Sequence, residues 1–337
     1  MKINRLFILL LFGLFLLLGC GKPNDPESIV PDDISGGYKI VKRFPTSGYA
    51  QDVLKKDSLL YIAQGEGGLL MVNVSDPGNP QTVSLTTEGV RGYCVKIAMR
   101  DSAVYLAAGT FGVNVINVAD PDTPFVTASN LPMKPARSFH IMGNYLFTAV
   151  SEQGVQLSEI SFPTQPDTRG QIYTTGYAYG LTTSADSNYL FVACGEMGLV
   201  IYNISDLQEG YGIYTKTGWC DTPGDAEAIA ILESESLAFL ACGTGGLQIL
   251  NYSDTSNIFI AGSYDSVGYV KDLIYNNKLI YMTSETYGLQ IIDVSDVAKP
   301  RLVGIVPTAF ALGLDMDEKY IYVADEEEGL IIISIPD

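Results

Sequence analysis

The sequence is poor in the residues and motifs on which most enzymes depend. Its 337 residues include one histidine, His140, and one tryptophan, Trp219. It contains no nucleophile elbow, no zinc-binding spacing and no glycine loop of the phosphate-binding kind. Carboxylates are so numerous that no glycosidase pair can be assigned among them. We therefore expect no catalytic activity and no cofactor, with His140 structural; a divalent cation held by carboxylates is left open.

Positive charge is scarce as well. The chain has 20 lysine and arginine residues against 38 aspartate and glutamate residues. Removal of a signal peptide containing Lys2 and Arg5 would leave 18 basic residues against 38 acidic ones, a net charge of −20. Such a surface repels nucleic acid and anionic lipid headgroups, so neither is expected as a partner. Solubility alone would also explain the charge.

The first twenty residues combine a basic start with a short apolar run. Leu6–Leu18 carries no charge and, at 13 residues, is too short to span a bilayer, which needs about 20. The run ends in Leu-Leu-Gly-Cys at Cys20, which resembles the lipobox of bacterial lipoproteins. The resemblance implies a signal peptide over residues 1–19 and stable attachment through more than one acyl chain on Cys20. An uncleaved anchor or a plain secretory signal is the alternative.

The segment after Cys20 indicates where the protein is held. Residues 20–36 are rich in Pro, Asp and Gly and predict a lipidated tether. Gly21 stands where enterobacterial lipoproteins retained in the inner membrane carry Asp, which favours the outer membrane or the cell surface. We expect a cell-envelope protein that contacts the membrane through its N-terminal lipid only.

The remainder of the chain repeats one phrase seven times. Each copy opens with a glycine, here called the marker glycine, followed by an apolar run such as Leu-Gln-Ile-Ile-Asp at residues 289–293. Successive marker glycines are 41 to 48 residues apart: Gly68, Gly112, Gly154, Gly198, Gly246, Gly288 and Gly329. A repeat of just over 40 residues that consists mainly of β-strands is typical of β-propeller blades.

Each repeat contains four apolar runs bounded by turn residues, which we label strands A to D from axis to rim. In the first repeat they span residues 49–54, 59–63, 69–74 and 81–85. The Ser-Asp-Pro sequences between strands C and D predict a structural hairpin rather than a metal site. The last repeat ends in strand C, so residues 37–46 are predicted to supply its strand D and close the ring. The expected fold is all-β, a seven-bladed propeller of four-stranded antiparallel blades over residues 37–337.

The repeated phrase resembles a known family. Gly-Leu-x-Ile-Ile-Asp-Val-Ser-Asp-x-x-x-Pro, best kept at residues 288–300 and 68–80, is similar to the LVIVD repeat. The resemblance spans nearly all of residues 37–337 and is weakest in the third repeat. It implies a propeller of bacterial or archaeal envelopes, whose role is unknown or a surface function. The Trp-Asp dipeptide of WD40 repeats and the Asp-box of sialidases are absent.

Alignment of the seven A strands separates columns that the fold dictates from one that it leaves free. One column is uniformly small, as convergence of the inner strands requires: Ala50, Cys94, Ala136, Ala178, Ala226, Val270 and Ala311. The next column, here called the axial ring, shares no residue type: Gln51, Val95, Arg137, Tyr179, Glu227, Lys271 and Leu312. No scaffold demand explains this variation, so the polar members of the axial ring, with the adjacent Asp52, are the best candidates for ligand contact.

Two further sets are expected on the same face. The column before the small one is mostly aromatic, and its rings are expected to pack between blades or to recognise sugars or peptides: Tyr49, Tyr93, Tyr177, Tyr269 and Phe310. The B-to-C turns carry carboxylates, here called the acidic rim: Glu66, Glu152, Glu196, Glu285 and Glu327. The acidic rim is expected to bond nearby backbone or, alternatively, to bind a cationic peptide, an amine-bearing glycan or a divalent ion.

Two more residue types carry specific expectations. Trp219 is predicted on a loop before the fifth repeat, where it would contact a ligand or plug the channel mouth. Cys194 and Cys242 occupy matching positions in adjacent blades, whose sheets stack about 10 Å apart. A disulfide requires Cα atoms within about 7 Å, so buried thiols are expected.

These features predict a monomeric, lipid-anchored binding or protein-interaction module whose partner is an envelope protein or glycan. The alternative is a glycan-active or lyase-type propeller enzyme with its site in the channel mouth. Convergence of the polar ring residues within a few Å would favour a small-molecule site, and a wide spread would favour a macromolecule.

Overall fold

The computed structural model describes residues 34–207 and 214–336, in which strands dominate. Each of seven sheets has four antiparallel strands, in the order A-B-C-D for the first six. The A strands are β2 (Asp52–Lys56), β6 (Lys96–Arg100), β10 (Ser138–Met142), β14 (Gly180–Thr183), β18 (Ala228–Leu232), β22 (Asp272–Asn276) and β26 (Ala311–Met316). The B strands are β3 (Leu59–Ala63), β7 (Ala103–Ala107), β11 (Tyr145–Ala149), β15 (Tyr189–Ala193), β19 (Leu237–Ala241), β23 (Leu279–Thr283) and β27 (Tyr320–Asp325).

The outer half of each blade is built in the same way. The C strands are β4 (Leu69–Asn73), β8 (Val113–Asn117), β12 (Val155–Glu159), β16 (Leu199–Asn203), β20 (Leu247–Asn251), β24 (Leu289–Asp293) and β28 (Gly329–Ser334). The D strands are β5 (Gln81–Thr86), β9 (Phe125–Leu131), β13 (Asp167–Ile172), β17 (Thr215–Cys220), β21 (Phe259–Tyr264), β25 (Arg301–Val306) and, for blade 7, β1 (Lys39–Phe44). Two 3₁₀ turns, Ser205–Leu207 and Glu233–Glu235, lie between strands. No helix among these residues is long and apolar enough to cross a membrane.

The ring closes as predicted. Strand β1 pairs antiparallel with β28, so the first strand of the chain is the outermost strand of the last blade. The Tyr38 hydroxyl, just before β1, lies 3.1 Å from the Tyr281 hydroxyl of blade 6. Inner strands contact their neighbours all the way round, including β2 with β26. The seven-bladed fold is thereby confirmed; the predicted signal peptide and the tether up to residue 33 lie outside the described residues.

The uniformly small column lies at the junctions between blades. At six junctions this residue forms an antiparallel bridge with the B-to-C turn of the preceding blade, as Cys94 does with Gly65. All seven residues are fully buried. The first A strand begins at Asp52 rather than at Tyr49. The small size reflects the close approach of two backbones at the junction rather than convergence on the axis.

The marker glycines are explained by a different contact. All seven have positive φ, and at Gly288 a Cβ would lie 2.3 Å from the carbonyl oxygen of Val306 at the end of strand D. Only glycine tolerates both the left-handed backbone and this approach. The repeat is therefore conserved within the chain at this position for steric reasons.

Apolar side chains fill the spaces between successive blades. Seven buried clusters, each drawing on neighbouring sheets, form the core, and Cys94, Cys194 and Cys242 are buried within three of them. The four cysteines described are free, as expected for Cys194 and Cys242. Between strands C and D the Asp side chain closes the turn, as when Asp76 Oδ1 accepts a hydrogen bond from Gly78 N at 3.1 Å. The hairpin is structural, as predicted.

Candidate functional site

The axial ring surrounds one cavity at the centre of the propeller. All seven of its members line this cavity, which has a volume of about 430 Å³: Gln51, Val95, Arg137, Tyr179, Glu227, Lys271 and Leu312. They converge because each immediately precedes, begins or lies just inside an A strand, where the blades are closest to the axis. The volume lies within the roughly 300–1,000 Å³ range of small-ligand sites.

The cavity has a charged wall and an apolar wall. Blades 3 to 6 contribute Arg137, Tyr179, Glu227 and Lys271. Blades 7 and 2 contribute Leu312 and Val95, and Gln51 of blade 1 lies between them. Arg137 stacks on Tyr179, its Cζ 5.7 Å from the ring centroid. Lys271 Nζ lies 3.4 Å from Glu227 Oε1. A ligand in this cavity would therefore meet alternating charge on one side, and two aliphatic side chains with one amide between them on the other.

Glu227 is the best-partnered side chain of the charged wall. The Tyr269 hydroxyl donates a hydrogen bond of 2.7 Å to Glu227 Oε1. Burial raises the pKa of Tyr269 well above its usual value, and this bond to Glu227 raises it further. Burial also raises the pKa of Tyr179, with Glu227 adding to the rise and Arg137 opposing it. Both phenols therefore remain neutral hydrogen-bonding groups at physiological pH.

An ion cluster forms the floor of the cavity. Lys96 Nζ in blade 2 lies 2.9 Å from Asp52 Oδ1 in blade 1 and 2.5 Å from Asp272 Oδ2 in blade 6. Asp52 Oδ2 also accepts a hydrogen bond from Ile97 N at 3.0 Å. Because blades 2 and 6 are not neighbours, the Lys96 side chain reaches across the channel. We call Asp52, Lys96 and Asp272 the floor cluster.

The floor cluster keeps Lys96 charged. Burial lowers the pKa of its ammonium group, but Asp272 and Asp52 outweigh burial and leave the pKa raised. Burial raises the pKa of Asp52, and Asp272 adds to that rise while Lys96 opposes it. Asp52, predicted on the ligand face, is 3% exposed and lies beneath the ring rather than on the cavity surface. Lys96 and Asp272 do line the cavity, but they were not among the residues predicted from the sequence. They could have been found because both are charged residues in the A-strand column that follows the axial ring.

The mostly aromatic column that precedes the small one contains both packed and exposed rings. A Cβ at Gly65 would lie 2.6 Å from the Tyr93 ring, and one at Gly243 would lie 2.7 Å from Tyr269, so both rings cover the turn of the preceding blade. Tyr49 and Tyr177 are instead 59% and 51% exposed. Packing between blades explains the first pair, and the second pair remains available for contact.

The acidic rim lies close to the axial ring. Glu66 follows Gly65, whose bridge partner Cys94 directly precedes Val95 of the ring. Four rim carboxylates are exposed and, among the residues described, accept no hydrogen bond: Glu66, Glu152, Glu196 and Glu327. The predicted bonds to nearby backbone are therefore not formed. Glu285 is half-buried, and burial raises its pKa while Lys271 opposes the rise. Over residues 34–207 and 214–336, no cluster of three His, Cys, Asp or Glu side chains could hold a metal ion.

The loop position predicted for Trp219 is wrong. Trp219 belongs to β17, the outer strand of blade 4, where it pairs with Val200. The longest interval between marker glycines runs from Gly198 to Gly246. Its extra residues lie in the connection from Asn203 to Thr215 and in the turn at Glu233–Glu235. The indole lies 5.3 Å from Lys216 Nζ and is not among the residues lining the axial cavity. His140 lies on β10 as predicted, with Nε2 2.9 Å from Thr183 Oγ1.

Solved structures with this architecture are distant in sequence. The WD40 propeller domain of Doa1 aligns with 10% identity over 89% of this chain and 98% of that chain, with a TM-score of 0.66. A chain of the mitotic checkpoint complex aligns with 14% identity over 94% and 98%, with a TM-score of 0.65. The computationally designed protein Ika8 aligns with 9% identity over 85% and 83%, with a TM-score of 0.59. At these identities the likeness supports the propeller fold alone.

Comparison by sequence gives a narrower result. No curated protein matches the chain. The model of the LVIVD repeat matches residues 47–86, 176–208, 223–266, 267–308 and 311–337. The matched segments fall in blades 1 and 4 to 7, so the match covers less of the chain than the expected span of residues 37–337. Because these segments make up more than half of the chain, the protein belongs to the LVIVD-repeat family.

Proposed function

We propose that this LVIVD-repeat propeller is a non-catalytic binding module of the cell envelope, held there by lipid on Cys20, which binds its ligand through the axial ring. The observation that carries the proposal is the convergence of the chain's most variable A-strand column on one cavity of about 430 Å³. Such convergence favours a small ligand, or one protruding group of a larger partner, over a broad flat contact.

The partnering of the carboxylates at the cavity supports binding over glycoside hydrolysis. Lys271 and Tyr269 contact Oε1 of Glu227, and Lys96 pairs with Asp52 and Asp272. A glycosidase needs two carboxyl groups beside the bond it breaks, and among the described carboxylates at the cavity only Glu227 Oε2 lacks a partner. The enzyme alternative has no comparable observation in its favour.

Affinity capture from envelope extracts tests binding through the axial ring. The bait proteins are the wild type, the double variant Arg137→Gln/Glu227→Gln, and the control Phe162→Ala, which alters a residue that is 76% exposed in a C-to-D hairpin. The wild type and the control should retain a species that the double variant loses. Equal capture by all three would contradict the proposal.

Metabolic labelling with a palmitate analogue tests the anchor separately. The wild type should incorporate label and partition into a detergent phase, whereas Cys20→Ser should do neither. Label that persists in Cys20→Ser would show that Cys20 is not the lipidated residue.

A further inference from the structure

Arg137 differs from the other cations of the cavity because its outer nitrogens have no partner among the described residues. Its Nε donates a hydrogen bond of 2.8 Å to Ser151 Oγ, and its guanidinium group stacks on Tyr179. Lys271 is paired with Glu227, and Lys96 with two aspartates. No residue in the described part of the chain accepts a hydrogen bond from Arg137 Nη1 or Nη2. The guanidinium is thus held in place with its two-nitrogen fork available, the geometry that binds a carboxylate through two parallel hydrogen bonds.

The surroundings of Arg137 restrict what else the ligand contains. Val95 in the adjacent blade 2 and Leu312 in blade 7 provide aliphatic surface on either side of Gln51, whose Nε2 has no partner among the described residues. Lys271 and Tyr269 both contact Oε1 of Glu227. The cavity therefore offers the open nitrogen pair of Arg137, a neutral amide and two aliphatic side chains. A carboxylate joined to an apolar side chain fits the guanidinium group and the aliphatic surface.

The floor cluster obstructs the channel beneath the ring. Lys96 reaches from blade 2 to Asp272 in blade 6, so a chain that entered from the ring side would meet this ion pair across its path. This arrangement favours insertion of a chain end over passage of a continuous chain. The last residue of a polypeptide, with its α-carboxylate and side chain, has the required chemistry, and capture of such carboxylates is a known mode of peptide recognition.

The acidic rim determines the charge of the residues that precede this terminus. Glu66, Glu152, Glu196 and Glu327 are exposed and unpartnered within the described chain, and the protein is strongly acidic overall. This field repels a bare anion but attracts a chain that is basic before its carboxylate. We infer, resting on the proposed function, that the axial cavity binds the C-terminus of a basic peptide segment, with its carboxylate on Arg137, its last side chain against Val95 and Leu312, and its basic residues over the acidic rim.

Isothermal titration with a matched peptide pair tests this inference. The probe is acetyl-Lys-Arg-Lys-Lys-Leu with a free carboxylate, and its control is the same peptide ending in an amide. Wild-type protein should bind the acid at least about 10-fold more tightly than the amide, because only the acid can accept two charge-assisted hydrogen bonds. Arg137→Gln should abolish that preference. The control Arg169→Gln, which alters an exposed guanidinium paired with Glu159, should preserve it.

The contribution of the acidic rim is measured with the same peptides. The double variant Glu66→Gln/Glu196→Gln should bind the acid peptide and the amide peptide more weakly than the wild type does, by the same factor. Added salt should reduce that factor. Equal affinity of wild-type protein for acid and amide, or a preference that survives in Arg137→Gln, would overturn the inference. If the peptides fail in this way while envelope capture still depends on the axial ring, only the ligand class is wrong. If ring dependence is also lost, the proposed function fails with it.

Discussion

At the residue scale, the charges of the floor cluster in the central channel form ion pairs with one another. The Lys96 side chain is 29% exposed, and its carboxylate partners Asp52 and Asp272 are 4% and 14% exposed. Charges removed from water to this extent are costly unless they remain paired. The floor cluster is therefore a point at which a single substitution should have a large effect.

Lys96→Met should lower the free energy of unfolding by about 3 kcal/mol, because it leaves two buried carboxylates facing each other without a cation. Urea denaturation measures the change. The control Lys319→Met removes an exposed lysine and should have little effect. The triple variant Asp52→Asn/Lys96→Met/Asp272→Asn should recover most of the loss; a triple variant as unstable as the single one would contradict the electrostatic explanation.

His140 should make stability depend on pH in a defined range. Burial lowers the pKa of its imidazole from the ordinary 6.5 to about 4. Between these values the unfolded chain binds a proton that the folded protein does not, so stability is full above pH 6.5 and falls as pH decreases towards 4. The contribution is at most about 3 kcal/mol. Denaturation of His140→Gln from pH 7 to pH 4 should show a smaller loss than the wild type, and parallel curves would count against this assignment.

At the scale of single elements, the marker glycine links strand C of each blade to the end of strand D. Its left-handed backbone turns the chain at a point where strand D passes within contact distance. A side chain at this position would push the outer strand away from the blade. The spacing that identified the repeat in the sequence is thus a direct consequence of strand packing.

Gly288→Ala should destabilise the protein by about 2 kcal/mol or more, because φ is +77° and the new Cβ would lie 2.3 Å from Val306 O. Gly170→Ala is the matched control, since a Cβ there meets no atom within 4 Å. Differential scanning calorimetry should give a lower Tm for Gly288→Ala only. Equal Tm values for the two variants would show that the glycine is not a steric requirement.

Strand β1 should be essential for stability because it covers the outer edge of β28. A chain that begins at Ser47 lacks this strand, whereas one that begins at Ser35 keeps it. The shorter chain should melt many degrees lower and aggregate through the exposed edge, since an unpaired strand is a template for intermolecular pairing. The same Tm for both chains would mean that closure contributes little.

At the scale of the whole molecule, the period of the marker glycines predicted seven blades, and the missing strand D of the last repeat predicted the closing strand. The axial ring could also be singled out, because a column that varies among similar units is not explained by their packing. Whether its members converge on one cavity or spread around a rim could not be decided from the sequence. The placement of Trp219 could not be predicted, since residues added between Asn203 and Thr215 shift the spacing without altering the D strand. The floor cluster could not be predicted in full, since the contact of Lys96 with Asp272 joins blades that are not neighbours.

The position of the cavity also bears on how the protein would meet a partner. Tyr49 and Tyr177 stand more than half exposed beside the axial ring, with the acidic rim around them. Phe162 lies in a C-to-D hairpin, at the end of its blade away from the B-to-C turns. Partner contact at the two ends of the propeller can therefore be compared by placing the same probe at Tyr177 and at Phe162.

Photo-crosslinking in living cells tests the central claim that the axial-ring face is the binding face. A photoreactive phenylalanine analogue is placed at Tyr177 or, as the matched control, at Phe162, which is also an exposed aromatic residue. A discrete adduct is expected from position 177, which disappears when Arg137→Gln is added, and no such adduct is expected from position 162. An adduct from position 162 alone, or one from position 177 that is unaffected by Arg137→Gln, would show that the axial-ring face is not the binding face.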